Sequence, residues 1–317
     1  MILCRFNKRR EKLKIYKNTE LTNDQYHNEI PAISGSGLCV IYDKSPAHYK
    51  YAENEETPAL VFGTAAHAMI LEPEVFDAEF CRGFDIAQYP DALVGAAPLK
   101  SWLKERGQKQ SGTKAEMTAR ILELEPLTQV DTVLQQRHEQ WMGDKENIKP
   151  ETFDKIQSMR KTIMQDDEIA AMLKGGFPEM SIVGELDGVQ VKTRPDLITS
   201  NGGLVNYKTT TDVHPERFGR KAYDYGYLLK AALEYDIFTI AYGKPPAFYV
   251  LLGQEKTSPF AFKPYFLSQQ HIEIGRSQYR MALATYEHCL KTNNWPAYGT
   301  GAAELYLPEF IMNMHVS

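Results

Sequence analysis

The hydrophobic positions change period along the chain, and the changes mark out its elements. Ser34 to Gly37 reads as a turn followed by a helix start, and Ser45-Pro46 opens another helix. In "TPALVFGTAAHAMILEPEVF", Pro58 suits a first helical turn, Leu60 to Leu71 is rich in helix formers, and Pro73 stops the run. Residues 151–173 predict a further helix. From 179 to 212 the period shortens to that of strands, in "EMSIVGEL", "VQVKTRPDLI" and "GLVNYKTT", with Asp-Gly and Gly-Gly turns between them. Residues 214–242 return to helix, "PAFYVLLGQE" and "FAFKPYFL" are strands, and "SQQHIEIGRSQYRMALATYEHCLKTNN" closes the chain as a long helix. A meander followed by helix and more strands predicts a mixed α/β core.

Residues 89–124 differ from their surroundings. Leu99, Trp102 and Leu103 recur at helical spacing, Gly107 to Gly112 makes a loop, and Met117, Ile121 and Leu122 define a second amphipathic helix. Thr113 and Glu116 have the spacing of a capping box. The expected division is therefore 1–88 as the first part of a core, 89–124 as an inserted helix-loop-helix unit, and 125–317 as the rest of the core.

With 317 residues the chain is long enough for one large domain and a small module. No run of 18 apolar residues occurs, which predicts no membrane span. The opening "MILCRFNKRREKLKIYKN" runs from apolar to basic, the reverse of a secretory signal, and predicts a cytoplasmic location. Cys4, Cys39, Cys81 and Cys289 are scattered without a CxxC pair, which argues against a zinc or iron-sulfur site and for free thiols. A formal net charge of −5 excludes a uniformly basic coat but permits a local basic channel.

The candidate chemistry lies in "TRPDLITSNGGLVNYKTTTD". Asp196 ends one apolar strand, and position 206 lies ten residues on, in a strand reached through the Gly202-Gly203 turn. That layout brings both side chains to one edge of a sheet. Lys208, two residues beyond, shares the face of position 206 because side chains alternate along a strand. An oxygen-rich edge with a cation beside it is what metal-assisted phosphodiester hydrolysis needs.

These residues, with "YHNEIPAISGSGL", "SPAHYK", "FGTAAHAMILEPEVF" and "NWPAYG", resemble the PD-(D/E)XK nuclease superfamily. The likeness is greater to its RecB-like branch, which includes the RecE-type phage and prophage exonucleases (exodeoxyribonuclease VIII). It runs from about Tyr26 to Tyr298 and implies a restriction-endonuclease-like α/β core, a mixed sheet flanked by helices. It further implies that His67, in a G-T-x-x-H helix, lies beside the metals. Glu179 matches the acid that opens the strand region. Asp196, position 206 and Lys208 match the three signature positions. Mg²⁺, with Mn²⁺ as a substitute, is the implied cofactor, with Asp196 and position 206 as ligands and Lys208 activating water.

The resemblance also implies 5′-to-3′ degradation of one strand from double-stranded DNA ends, leaving 3′ overhangs for a single-strand annealing protein in phage-type recombination. A homo-oligomeric ring around DNA is implied too. The 89–124 unit resembles a SAP module, whose Lys100, Lys104, Arg106, Lys109, Lys114 and Arg120 are candidate phosphate contacts.

Two positions depart from the pattern. Asn206 stands where an acid is expected, and Lys230 where a Gln precedes the "AALEY" helix. Tyr235 falls one residue later than a Q-x-x-x-Y spacing counted from Lys230 would place it. Lys230 and Tyr235 remain candidate DNA contacts. An amide at 206 keeps size and a carbonyl oxygen but loses charge, so weakened Mg²⁺ binding and turnover are expected, whether the residue is natural or an engineered inactivation.

Each residue also has a plainer reading. His67 fits a satisfied core histidine, Asp196 a turn residue, Lys208 a solvated strand lysine, Glu179 a surface acid, Tyr235 core packing, and the 89–124 unit a protein-binding hairpin. Two rival functions stand beside the exonuclease: a catalytically dead DNA-end-binding protein on the same fold, favoured by Asn206, and a RecB-like nuclease subunit of a helicase complex. The second is disfavoured by the single Cys289 where such relatives often carry a cysteine cluster.

Overall fold

A five-stranded mixed sheet carries the centre of the molecule, in a computed structural model that describes residues 13–53 and 57–307. Cys4 and the rest of residues 1–12 of the basic N-terminal stretch lie outside the described residues. The strands of this sheet are β5 (Phe177–Pro178), β8 (Leu197–Ile198), β9 (Leu204–Thr210), β10 (Tyr249–Glu255) and β11 (Phe262–Phe266). Their order is β11-β10-β9-β8-β5, with β9 and β10 parallel and the other pairs antiparallel. A second sheet, β1-β6-β7-β2, joins β1 (Lys14–Tyr16), β6 (Ser181–Leu186), β7 (Val189–Thr193) and β2 (Ile33–Ser34). The mixed sheets flanked by helices match the expected α/β core.

Parallel neighbours require a crossover, and β9 reaches β10 through α10 (Pro215–Asp224) and α11 (Tyr227–Tyr242). The strand period of two then divides the sheet between two cores. Val205, Tyr207, Val250 and Leu252 face α3 (Pro58–Leu71) and α8 (Pro150–Met164). Leu204, Tyr249 and Leu251 face α11 and the closing helix α12 (Gln269–Thr292). Helices α11 and α12 approach closely at Gly275, where an added Cβ would lie 1.9 Å from the Leu228 carbonyl oxygen. α1 (Gly35–Asp43) starts at Ser34, whose hydroxyl accepts from the Gly37 amide, and α2 (Pro46–Lys50) is capped likewise by Ser45.

Thr57 caps α3, Pro58 occupies its first turn, and Pro73 both ends it and opens α4 (Pro73–Glu79). Other expectations change at their boundaries. The predicted helix over 151–173 is two, α8 and α9 (Asp167–Leu173). Asp166 accepts the Glu168 and Ile169 amides and so restarts the helix. The helix expected over 214–242 breaks at Gly226, which has φ +66°. The strand expected over 189–198 breaks at Arg194–Asp196, where the chain leaves one sheet for the other, so the three strands form two hairpins rather than one meander. The first hairpin turns at Asp187-Gly188, both with positive φ, the conformation that Asp-Gly turns favour.

The inserted unit folds around its own core of Leu99, Leu103, Met117, Ile121 and Val130. It contains α5 (Ala96–Glu105) and α6 (Lys114–Leu124), the latter opened by the Thr113–Glu116 capping box. A bridge between Leu93 and Val130 closes the unit, which therefore runs past residue 124 to the start of α7 (Asp131–Met142). Beyond it, β3 (Phe80–Arg82) and β4 (Glu146–Ile148) pair, so the chain enters and leaves the unit at one place. Among the described residues, no helix is long and apolar enough to cross a membrane.

Candidate active site

The site grows from the register of β8 on β9. Leu197 pairs with Val205, so Asp196 falls opposite residue 206 at the strand end. Pro195 interrupts the backbone just before it, and Asp196 turns its carboxylate onto β9, where Oδ2 accepts the Tyr207 amide at 2.7 Å. Lys208 reaches the same oxygen at 3.2 Å and the Asn206 Oδ1 at 2.8 Å, as the shared strand face requires.

His67 comes from α3. Its ring stacks edge-on to Tyr207 at 5.1 Å, and its Nδ1 lies 3.5 Å from Asp196 Oδ2. Burial lowers the imidazole pKa, against the opposing pull of Asp196, and so favours the neutral form that ligates metals. Glu179 enters from the turn between β5 and β6. Its φ of 50° is a left-handed conformation rare for such a residue, and its amide donates to the Asp196 carbonyl at 3.2 Å. Burial, then the nearby Asp196 charge, push its pKa up to about 8.

One ligand atom each from His67, Glu179 and Asp196 lies within 4.8 Å of the others. An imidazole and two carboxylates suit a divalent cation. A cation there also relieves the repulsion that raises the Glu179 pKa, so the donor set fits the group that the motif calls for.

Glu179, Asp196, Asn206 and Lys208 line a cleft with Tyr26, Asn23, Arg194, Lys230 and Glu234. Arg194 stacks on the Tyr26 ring at 4.0 Å and donates to the Ser181 hydroxyl at 2.7 Å. Lys192, buried behind it, donates to the carbonyls of Tyr26, His27 and Ile30 and pins the N-terminal segment over the cleft. Burial lowers the pKa of both cations.

Of the candidates named from the sequence, His67, Glu179, Asp196, Asn206 and Lys208 converge, and Lys230 lines the same cleft. Tyr235 does not: it packs against the main core, because one residue's helical rotation carries it away from the face shared by Lys230 and Glu234. In the inserted unit, Lys100, Lys104 and Lys109 are exposed. The other three basic side chains serve the unit itself. Lys114 pairs with Asp131 at 2.8 Å, Arg106 pairs with Glu125 and stacks on Trp102, and Arg120 donates to the Lys109 and Ser111 carbonyls.

Sequence reasoning missed Glu234. It is 7% exposed on the largely apolar α11, and its Oε2 accepts from the Asn206 amide at 2.8 Å and from the Tyr249 hydroxyl at 2.7 Å. Burial raises its pKa to about 7 against the lowering effect of the Tyr249 bond. The signal available was an acid inside "LLKAALEYDIF", one helical turn beyond Lys230.

The sequence profile of the family described as "PDDEXK-like domain of unknown function (DUF3799)" matches residues 43–306. The chain belongs to this family. Its fold is similar to a crystal structure of a "putative exonuclease" from Eubacterium rectale, with a TM-score of 0.55 at 13% identity, over 93% of this chain and 98% of that one. No curated protein sequence matches the chain. Family and fold together show a PDDEXK-like chain, and its His67–Glu179–Asp196 cluster offers a donor set that a divalent cation would fit.

Proposed function

We propose that this chain is a Mg²⁺-dependent exonuclease of double-stranded DNA that degrades one strand 5′-to-3′ and leaves 3′ overhangs for recombination. The convergence of His67, Glu179 and Asp196 within 4.8 Å, beside Lys208, carries the reading. His67, Glu179 and Asp196 would hold the cation, with the Asn206 carbonyl oxygen beside them. Bound there, a divalent ion supplies charge neutralisation for the phosphate and a water acidified enough to attack it.

The chain's own groups do the rest. Lys208 is fixed between Asp196 and Asn206, so its ammonium is aimed at the cleft without a search among rotamers and can hydrogen-bond the attacking water or a phosphate oxygen. Lys230 adds positive charge to the wall, and Arg194 and Lys192 hold the Tyr26 segment over the opening. Lys100, Lys104 and Lys109 of the inserted unit offer sequence-independent phosphate contacts to the duplex beyond the cleft.

The polarity, the ring assembly, the single-strand annealing partner and Mg²⁺ as the preferred ion follow from the likeness to RecE-type enzymes. A second reading, a catalytically dead DNA-end binder, is favoured by Asn206 alone. Linear duplex labelled separately at each 5′ and 3′ end distinguishes them. The exonuclease releases 5′ label as short products first and stops when EDTA is added. Duplex that stays intact with Mg²⁺ and with Mn²⁺, while still being retained by the protein, supports the dead binder.

A further inference from the structure

The amide at 206 looks like a missing charge, yet its hydrogen bonds lead to one. Asn206 Nδ2 donates to Glu234 Oε2 at 2.8 Å and to the Tyr249 hydroxyl at 2.6 Å, while its Oδ1 accepts from Lys208 at 2.8 Å. This is the amide orientation in which donors meet acceptors. Flipped, it would set an oxygen against a carboxylate and an NH₂ against an ammonium. Glu234 is buried, comes from a different element, lines the same cleft as Asp196 and Lys208, and lies close enough to Asp196 for their charges to interact.

We infer that Asn206 and Glu234 together replace one strand carboxylate: Asn206 presents its carbonyl oxygen to the cation, and Glu234 supplies the negative charge and locks the amide from behind. Glu234 is thus a positioning residue, acting through Asn206. The inference rests on the cation site of the preceding section and deepens it. It also explains how an amide persists at a position where charge offsets cation dehydration, since the charge sits one hydrogen bond away.

The test is calorimetric titration of the full-length protein with Mn²⁺. In Glu234→Gln the new amide oxygen still accepts from Asn206 and Tyr249, so the substitution removes charge and keeps shape. Its Mn²⁺ affinity is expected to fall by about 10- to 100-fold, the range seen when an outer partner of a metal ligand is lost. Asn206→Asp in that background returns the charge to the strand and is expected to restore affinity to within about threefold of wild type. The double variant keeps net charge and volume and is compared directly with wild type, so a single variant that fails to fold does not end the test.

Unchanged affinity in folded Glu234→Gln, or a double variant as weak as the single one, overturns the inference. Mn²⁺ binding with this mutational pattern in a protein that leaves duplex DNA intact overturns the nuclease reading alone. Digestion of duplex together with Glu234-independent Mn²⁺ binding overturns this inference alone, and a wild type that binds no Mn²⁺ overturns both.

Discussion

Asp196→Asn separates the cost of the site from its use. The carboxylate accepts the Tyr207 amide and the Lys208 ammonium, and hydrogen bonds of this charge-assisted kind are worth about 1.5–3 kcal/mol. The same charge pushes up the pKa of both Glu179 and Glu234, so it also opposes folding of the cation-free protein. An amide oxygen can keep the Tyr207 bond, while the repulsion disappears and the Lys208 interaction weakens. The two changes oppose each other, so the cation-free variant is expected to melt within a few degrees of wild type.

With Mn²⁺ at a hundred times its dissociation constant, binding stabilises the wild type by about 2.7 kcal/mol. At about 2–4 °C per kcal/mol for domains of roughly this size, that is a rise of ~5–10 °C in Tm. The variant is expected to show almost none of this rise and to lose at least ~100-fold in digestion rate, the equivalent of losing about 2.7 kcal/mol of transition-state stabilisation. Scanning calorimetry with Mn²⁺ and with EDTA reads the first quantity, and end-labelled digestion the second. A variant whose melting point still climbs with Mn²⁺ would refute the reasoning, because Asp196 would then not belong to the cation site.

Four further expectations follow from particular contacts. Without divalent ions, the Glu179 carboxyl holds its proton up to about pH 8, far above an unfolded carboxylate. The folded state therefore binds more protons, and stability falls as pH rises from about 5 to 8; Glu179→Gln is expected to flatten this slope in EDTA melting curves. Asn206→Asp alone sets two carboxylates against each other in place of the Asn206–Glu234 bond and lowers cation-free stability by about 1.5–3 kcal/mol in urea titrations. Ile121→Ala opens a cavity in the inserted unit and costs that unit about 2–5 kcal/mol; DNA retention is expected to weaken while Mn²⁺ titration is unchanged. Gly275→Ala drives a methyl into the Leu228 carbonyl and is expected to destabilise the chain by at least ~1–3 kcal/mol in thermal unfolding.

Local grammar made much of this fold legible. Thr57, Pro58 and Pro73 bracket α3, and the Thr113–Glu116 box opens α6, because caps and proline act within a few residues of themselves. The Gly202-Gly203 turn fixed the approach of β8 and β9 and so brought Asp196 to position 206. Long-range choices were hidden. The move from one sheet to another at Arg194–Asp196 depends on β2 and β9 claiming different halves of one apolar run. Glu234 carries no local mark beyond being an acid among apolar neighbours, and its meaning comes from Asn206, 28 residues away in sequence. Tyr235 shows the opposite error, in which an aromatic near a motif belongs to the core.

Crystals of the protein soaked in MnCl₂ and measured at the manganese absorption edge test the central claim most directly. The account predicts an anomalous peak bounded by His67, Glu179 and Asp196, with Asn206 Oδ1 turned toward it and Glu234 behind the amide. Manganese bound elsewhere on the chain, with those three side chains empty-handed at saturating metal, would contradict it.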